Sequence, residues 1–370
     1  MTASKVYFAS AGGRFGQGPV DKVRLLFDEA GFGDIIKDRD LVAVKVHFGE
    51  PGNTSFVPPP YIRTIAEEII KRGGRPFLTD TGCLYFSGRA NARDHLMAAS
   101  QHGFGPEATL APVLIGDGLR GSDVRTVEVR LKHFQEVEVA GAIHDADSLI
   151  VSTHVTGHAL TGFAATIKNL GMGGGGRRMK LSVHEMVRPK VENDKCDLCE
   201  SCLENCPAGA ISVVDGEIKI DHSICIGCGE CLAMCPNRAI SVKWAGDPAV
   251  AQEKLAEITF AVLKNKKGRV GFYAFLINVT PTCDCWNYSA APLVPDIGYV
   301  ASTDPVAIDQ AAADLVNQAV MTGPPAGQKV DPNAADKFRE AFDIDWQRQL
   351  EHAEGLGLGT REYELVRVGD

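Results

Sequence analysis

No run of about 18 consecutive apolar residues occurs anywhere in the 370-residue chain, which excludes a hydrophobic membrane-spanning helix. The N-terminus, Met-Thr-Ala-Ser-Lys, turns at Gly12-Gly13 without the apolar stretch of a secretory signal, so cytoplasm is the expected compartment. Positive charge is in deficit: Lys+Arg 38 against Asp+Glu 47 gives a net charge of −9, which argues against a surface built for nucleic acid. No Gly-Lys-Ser/Thr follows the glycine-rich stretch at 171–176, so it is not a phosphate-binding P-loop. Nor does it join a strand to a helix, as a dinucleotide fingerprint would. Disorder is excluded as well, because 45% of the residues are hydrophobic.

Cysteine is scarce over most of the chain, with three in 330 residues, and then abundant, with eight in the 40 residues from Cys196 to Cys235. In a reducing compartment such clustering points to metal rather than disulfides. Within it the sequence repeats itself. Cys196-x2-Cys199-x2-Cys202-x3-Cys206-Pro207 returns 29 residues later as Cys225-x2-Cys228-x2-Cys231-x3-Cys235-Pro236, and Ala210-Ile-Ser-Val213 returns as Ala239-Ile-Ser-Val242. A zinc site also uses paired C-x2-C, but zinc has no use for four cysteines in one such run, nor for the proline after it.

Around this module, short apolar strands alternate with helix-like segments, the pattern of an α/β fold with a mostly parallel sheet and flanking helices. Strands are expected at Lys5–Ala9, Leu41–Val46, Phe77–Thr79, Pro112–Ile115, Thr126–Leu131, Ser148–Ser152 and Val270–Val279. Helices are expected at Pro19–Ala30, Pro59–Arg72, Asn91–His102, Ala159–Leu170, Pro248–Asn265 and Val306–Val320. The last of these has Asp304 as N-cap, Pro305 at its first position and Gly323–Gly327 as its end. A helical tail, Asn333–Glu354, is expected to pack on the outside. The domain division is a discontinuous α/β scaffold, 1–187 and 247–370, interrupted by the cysteine-rich insert, 188–246.

The duplicated C-x2-C-x2-C-x3-C-P run resembles the bacterial two-cluster ferredoxins, in which the fourth cysteine of each run ligates the other cluster. The resemblance implies one [4Fe-4S] cluster on Cys196, Cys199, Cys202 and Cys235, and another on Cys225, Cys228, Cys231 and Cys206. Lys45-Val-His-Phe-Gly-Glu50, Thr79-Asp-Thr-Gly-Cys83, Thr153-His-Val-Thr-Gly-His158, Thr166-Ile-Lys-Asn-Leu-Gly171 and Cys283-Asp-Cys285 resemble the uncharacterised iron-sulfur centre proteins over nearly the whole chain. That family is an α/β domain that often carries a ferredoxin insert, and its name brings no established reaction. A looser similarity, His and Gly followed by Lys and glycines, is to the lactate racemase-like superfamily and bears only on where a site lies.

In open α/β sheets ligands bind beyond the C-terminal ends of strands, which draws attention to the segment after Ser148–Ser152. His154 and His158 share a face if the turn there is helical, and then suit metal ligation or proton exchange; otherwise they are satisfied by neighbouring backbone. Lys168 precedes the glycine-rich stretch, and Gly173, Gly174, Gly175 and Arg177 form either an anion-binding loop or a hinge for the insert. Cys283 and Cys285 follow a strand, and together with Cys83 and a histidine (His154, His158 or His184) they would make a third metal or cluster site. Cys83 alone reads equally as a small buried residue. His47, Glu50 and Asp80 follow early strands and suit the same crevice, His184-Glu185 is another ligand or acid–base pair, and Asp304, Asp309 and Asp314 read as helix caps and solvated face. The function expected is a redox enzyme whose ferredoxin module receives electrons from redox partner proteins and feeds a site in the α/β domain, acting on a small-molecule substrate. The alternatives are an electron carrier or docking protein without chemistry of its own, and a metal-trafficking role.

Overall fold

The computed structural model describes residues 3–184, 189–241, 247–322, 331 and 333–369. Glu185, Val242 and the Gly323–Gly327 helix stop lie outside the described residues.

Eight strands form one sheet: β1 (Ser4–Ser10), β2 (Leu41–Val46), β3 (Arg75–Asp80), β4 (Val113–Ile115), β5 (Ser148–His154), β6 (Val270–Leu276), β7 (Gly298–Ser302) and β8 (Tyr363–Arg367). Their order is β8-β1-β7-β6-β5-β2-β3-β4, and only β7 runs against the rest, so the sheet is mostly parallel, as the alternating pattern predicts. β5 and β6 are buried along their whole length because helices cover both faces. Along β6, Phe272, Ala274 and Leu276 enter one core and Tyr273 and Phe275 the other, the period of two expected of a pleated strand. Helices α1 (Pro19–Glu29), α2 (Pro59–Lys71) and α3 (Ala92–Gln101) pack on the second face. On the first lie α4 (Thr166–Gly173), α5 (Arg177–Val183), α6 (Pro248–Lys264), α7 (Pro305–Gln318), α8 (Lys337–Phe342) and α9 (Gln347–Gly355). The chain leaves β2 through α2 towards β3 and β4, then returns to β5 on the other side of β2, so β2 and β5 flank the switch point where a crevice opens.

Most expected elements stand where their patterns put them, and Asp304 caps α7 through the Val306 and Ala307 N–H groups. The helix expected at Ala159–Leu170 begins only at Thr166. Thr156–His158 and Gly162–Ala164 form a β-ribbon instead, with Gly162 at φ +68 in a left-handed turn that a helix cannot contain. Thr126–Leu131 is shifted to Val124–Glu128 and pairs with Glu136–Ala140 outside the main sheet. Strands β7 and β8 escape the sequence reading. Asp309 is no solvated residue: it is fully buried and accepts the Thr166 and Ile167 N–H groups, capping a helix on the far side of the sequence.

The tail is not an outer layer either. Trp346 and Leu350 are 1% and 0% exposed and join the main core, with the Trp346 indole donating to Asp336. Trp346→Ala is therefore expected to destabilise the protein by about 3–5 kcal/mol in urea unfolding, whereas a tail lying on the surface would lose less than about 1 kcal/mol.

Candidate functional site

The segment Pro189–Ser241 gives no strand to the large sheet. Its strands pair among themselves, Lys190–Val191 with Ile240–Ser241 and Ile211–Val214 with Glu217–Ile220, an arrangement compatible with an inserted module. The sequence repeat is a structural repeat at the same offset. Glu192 N–H donates to Ala239 O and Asp221 N–H to Ala210 O. Leu198 and Gly227, and Glu200 and Gly229, all take positive φ. In each half the residue four beyond the last cysteine turns its N–H onto that sulfur: Ala210 to Cys206 Sγ at 3.3 Å and Ala239 to Cys235 Sγ at 3.2 Å.

Two recesses result. One, an atom-free space of about 310 Å³ with its mouth included, is lined by Cys196, Cys199, Cys202 and Cys235 together with Val191, Ile218 and Ile240. The other, about 350 Å³, is lined by Cys206, Cys225, Cys228 and Cys231 with Ile211, Ile220 and Ile226. Three cysteines in each come from one run and the fourth from the other.

The second half of the module seats on the scaffold. Glu230, at the start of the helix Glu230–Met234, accepts a buried contact from the Arg177 guanidinium and a second from Arg120 at 3.3 Å. Ala233 packs with Cys83 and Ala90, and a Cβ on Gly229 would lie 2.5 Å from Leu84. Arg177 thus docks the module, its other arm bonded to Ala90 O, rather than binding a free anion. The glycines beside it are not an open cradle: the Gly174 and Gly176 N–H groups donate to the Leu170 and Glu138 carbonyls. Glycine here serves close packing. At Gly171 a Cβ would sit 2.6 Å from Leu255 O, and at Gly173 2.5 Å from Lys45 Nζ.

The loop that receives the module, residues 81–90, also borders the crevice at the strand ends, where three ion pairs are buried. Lys45, fully buried on β2, places Nζ 3.0 Å from Asp80 Oδ1 and 2.7 Å from Asn169 Oδ1. Burial opposes both charges, pushing Lys45 down and Asp80 up. For Asp80 the surrounding positive groups, Lys45 first among them, together overrule this and hold its carboxyl well below the usual carboxylate range. Arg89 meets Glu50 at 2.7 Å and also reaches His47 Nε2 at 3.1 Å. Gly49 N–H donates to His47 Nδ1; burial first, then the Arg89 charge, keep the ring neutral.

The third pair corrects the reading of His154. Its Nδ1 lies 3.0 Å from both Asp284 oxygens and its Nε2 2.9 Å from Ile277 O, and since carboxylate and carbonyl only accept, both nitrogens carry protons. Burial works against the imidazolium, but Asp284 outweighs it and raises the pKa. His154 is therefore neither a free base nor a metal ligand. It shares no helical face with His158, which sits on the ribbon and whose Nδ1 accepts from Leu160 N–H. His158 is held neutral by burial and by Lys168, and His184 is pushed down to about 4 by the same two causes.

The donor atoms of His158, Cys283 and Cys285 lie within 4.8 Å of one another. Cys83 is not among them: its thiol contacts Tyr85 O and Ser87 Oγ. Cys283 and Cys285 are joined by a disulfide, and Lys168 Nζ lies 3.8 Å from Cys283 Sγ. Burial lowers Lys168 from 10.5 to about 8, with Asp284 opposing the shift.

A family described as a domain of unknown function, DUF362, matches residues 42–314, a range that contains every crevice residue named above. The chain belongs to the DUF362 family. No curated protein matches it. Among solved structures, the DUF362 chain is similar to a lactate racemase apoprotein from Thermoanaerobacterium thermosaccharolyticum, at 12% identity and TM-score 0.37, over 73% of this chain and 50% of that one. It is also similar to a protein from Thermotoga maritima, at 8% identity and TM-score 0.40, over 91% of this chain and 58% of that one. The DUF362 chain thus spans half to three-fifths of the length of these structures.

Sequence reasoning missed Arg89, Asn169, Asp284 and Tyr85 as members of the DUF362 crevice. For Lys45 a signal existed, since a lysine inside the apolar strand Leu41–Val46 must find a partner once buried.

Because burial favours the neutral amine of Lys168, its ¹³C-dimethyl resonance after reductive methylation is expected to titrate with a midpoint of about 8. In Asp284→Asn the opposing charge is gone and the midpoint falls further. A midpoint at the ordinary 10.5 would show that Lys168 is solvated.

Proposed function

We propose that this chain is an iron-sulfur redox enzyme, in which the segment 188–246 is a two-cluster module inserted into the α/β scaffold 1–187 and 247–370 and serves a site at the strand ends. Cys196, Cys199, Cys202 and Cys235 would hold one [4Fe-4S] cluster, and Cys206, Cys225, Cys228 and Cys231 the other. The observation that carries the reading is the composition of the two recesses: four cysteines each, drawn three and one from the two runs, beside Val191, Ile218 and Ile240 in one and Ile211, Ile220 and Ile226 in the other. The donor set fits a cubane, which needs four thiolates. The backbone fits as well. Leu198 and Glu200 hold left-handed conformations that disfavour side chains, strain of the kind kept where geometry serves a site, and N–H groups turn onto Cys206 and Cys235. When bound, such clusters supply transfer of single electrons at potentials set by their surroundings.

What supports an enzyme over a mere carrier is the crevice. Three buried ion pairs, a lysine lowered to about 8 and a sulfur pair gather at the sheet's switch point, and the loop that seats the module borders them. A scaffold whose task was only to dock partners would have no use for so much buried charge. The substrate side of the reading is a small molecule, and the electrons come from ferredoxin-type partner proteins.

Metal analysis with EPR on anaerobically prepared protein tests the proposal. About eight irons per chain are expected, falling to about four in Cys199→Ser/Cys202→Ser with the signal of the other cluster retained. Zinc at one or two equivalents with no iron, and no EPR signal on reduction, would overturn it.

A further inference from the structure

The Cys283–Cys285 bridge spans a single intervening residue, Asp284. Stapling is not its use, because the chain entropy a disulfide removes from the unfolded state grows with the loop it closes, and this loop is minimal. The surroundings are elaborate for so short a bridge. The Asp284 carboxylate is gripped by His154 and by Ser55 Oγ at 3.0 Å, and Asp284 O accepts from Glu50 N–H. Cys283 O accepts from Trp286 N–H, and Cys285 O from the Tyr85 hydroxyl at 2.8 Å. None of these contacts uses a sulfur atom, and together they hold the backbone on both sides of each sulfur. The two sulfurs are also unequal. Cys283 is 4% exposed with the Lys168 ammonium 3.8 Å from its Sγ, whereas Cys285 is half-buried and more open.

We propose that Cys283 and Cys285 are a reversible two-electron dithiol–disulfide couple, the first acceptor in the scaffold for electrons delivered by the cysteine-rich module. The inference rests on the reading of that module as a pair of iron-sulfur centres. In the reduction the S–S bond breaks, two electrons arrive singly from the module, and one proton from solvent joins Cys285. The products are a Cys285 thiol and a Cys283 thiolate, whose negative charge the Lys168 ammonium balances. Reoxidation runs through Cys285, the more open sulfur: it loses its proton to solvent and attacks an external disulfide, one acceptor sulfur leaving as a thiolate, and the Cys283 thiolate then attacks Cys285 Sγ, re-forming the bridge and releasing the second acceptor sulfur as a thiolate. The connection to the module is physical: Ala233 packs on Cys83 and Ala90, and the same 81–90 loop supplies the Tyr85 hydroxyl that holds Cys285 O. His158 stands near both sulfurs, but with Nδ1 accepting from Leu160 the proton of its neutral ring is on Nε2, where it can donate to a thiolate.

The test is an anaerobic reductive titration of the full-length, iron-loaded protein with titanium(III), following the clusters by EPR and trapping thiols with iodoacetamide for mass spectrometry. The wild-type chain is expected to take up about four electrons, two at the clusters and two at the sulfur pair, and Cys283→Ser/Cys285→Ser about two. Cys283 and Cys285 should be alkylated only after reduction. Lys168→Gln should shift the thiol–disulfide equilibrium about tenfold towards the disulfide, which is about 30 mV for a two-electron couple. Equal uptake by the wild-type and double-variant chains overturns the inference, as does alkylation of both sulfurs in the oxidised protein or tight binding of added zinc by them. In each of those outcomes the cluster signals remain and the iron-sulfur reading stands. A protein without iron or EPR signal removes that reading, and the inference with it.

Discussion

The contact between the His154 imidazolium and the Asp284 carboxylate is what the crevice is built around. It joins the end of β5 to the loop after β6, and through Ser55 and the Glu50 amide the same aspartate holds the loop after β2. Glu50 in turn orients Arg89, which meets His47 and the Tyr85 hydroxyl. Removing one partner of a buried pair leaves an uncompensated charge at a cost of about 3–5 kcal/mol, so His154 and Asp284 persist only together. Asp284 is also the residue between the two sulfurs, so the carboxylate that pairs with His154 fixes the backbone that carries both of them.

The charges gather at one edge of the sheet for a topological reason. Parallel strands packed on both faces have little room for charged side chains along their length, so Lys45 and Asp80 appear in the final residues of β2 and β3, where the strands run out and helices diverge. Helix α4 closes the crevice and reaches it only because residue 173 lacks a side chain, leaving space for the Lys45 ammonium. The glycine-rich stretch is therefore best understood as clearance: at 171 for helix α6, at 173 for a buried ion pair.

How much of this is legible in the sequence depends on how local each signal is. The strands β2, β5 and β6 announce themselves by continuous apolar runs, and the duplicated cysteine runs by their spacing. β7 and β8 do not, because Gly298–Ser302 and Tyr363–Arg367 are short and become strands through pairing with β6 and β1. From residue 159 onward the ribbon reads as helix because its apolar residues fit that period; the left-handed Gly162, packed against Trp346 from the distant tail, decides otherwise. His154 looks like a ligand until Asp284, 130 residues away, supplies its counter-charge. The same holds for Arg177, a cation beside glycines whose partner is Glu230 in another part of the chain.

The seat of the cysteine-rich module has a consequence for symmetry. At the repeat offset, Gly229, Glu230 and Ala233 correspond to Glu200, Ser201 and Glu204 in the first half. A module turned end for end would offer Arg177 a serine in place of a carboxylate and press two glutamates where only a hydrogen and a methyl fit. The two halves share a backbone but not a key, so the module enters its lock one way round. A duplicated and inherently ambidextrous unit thereby acquires a fixed orientation, with the recess of Cys206, Cys225, Cys228 and Cys231 always the one whose Glu230 meets the scaffold.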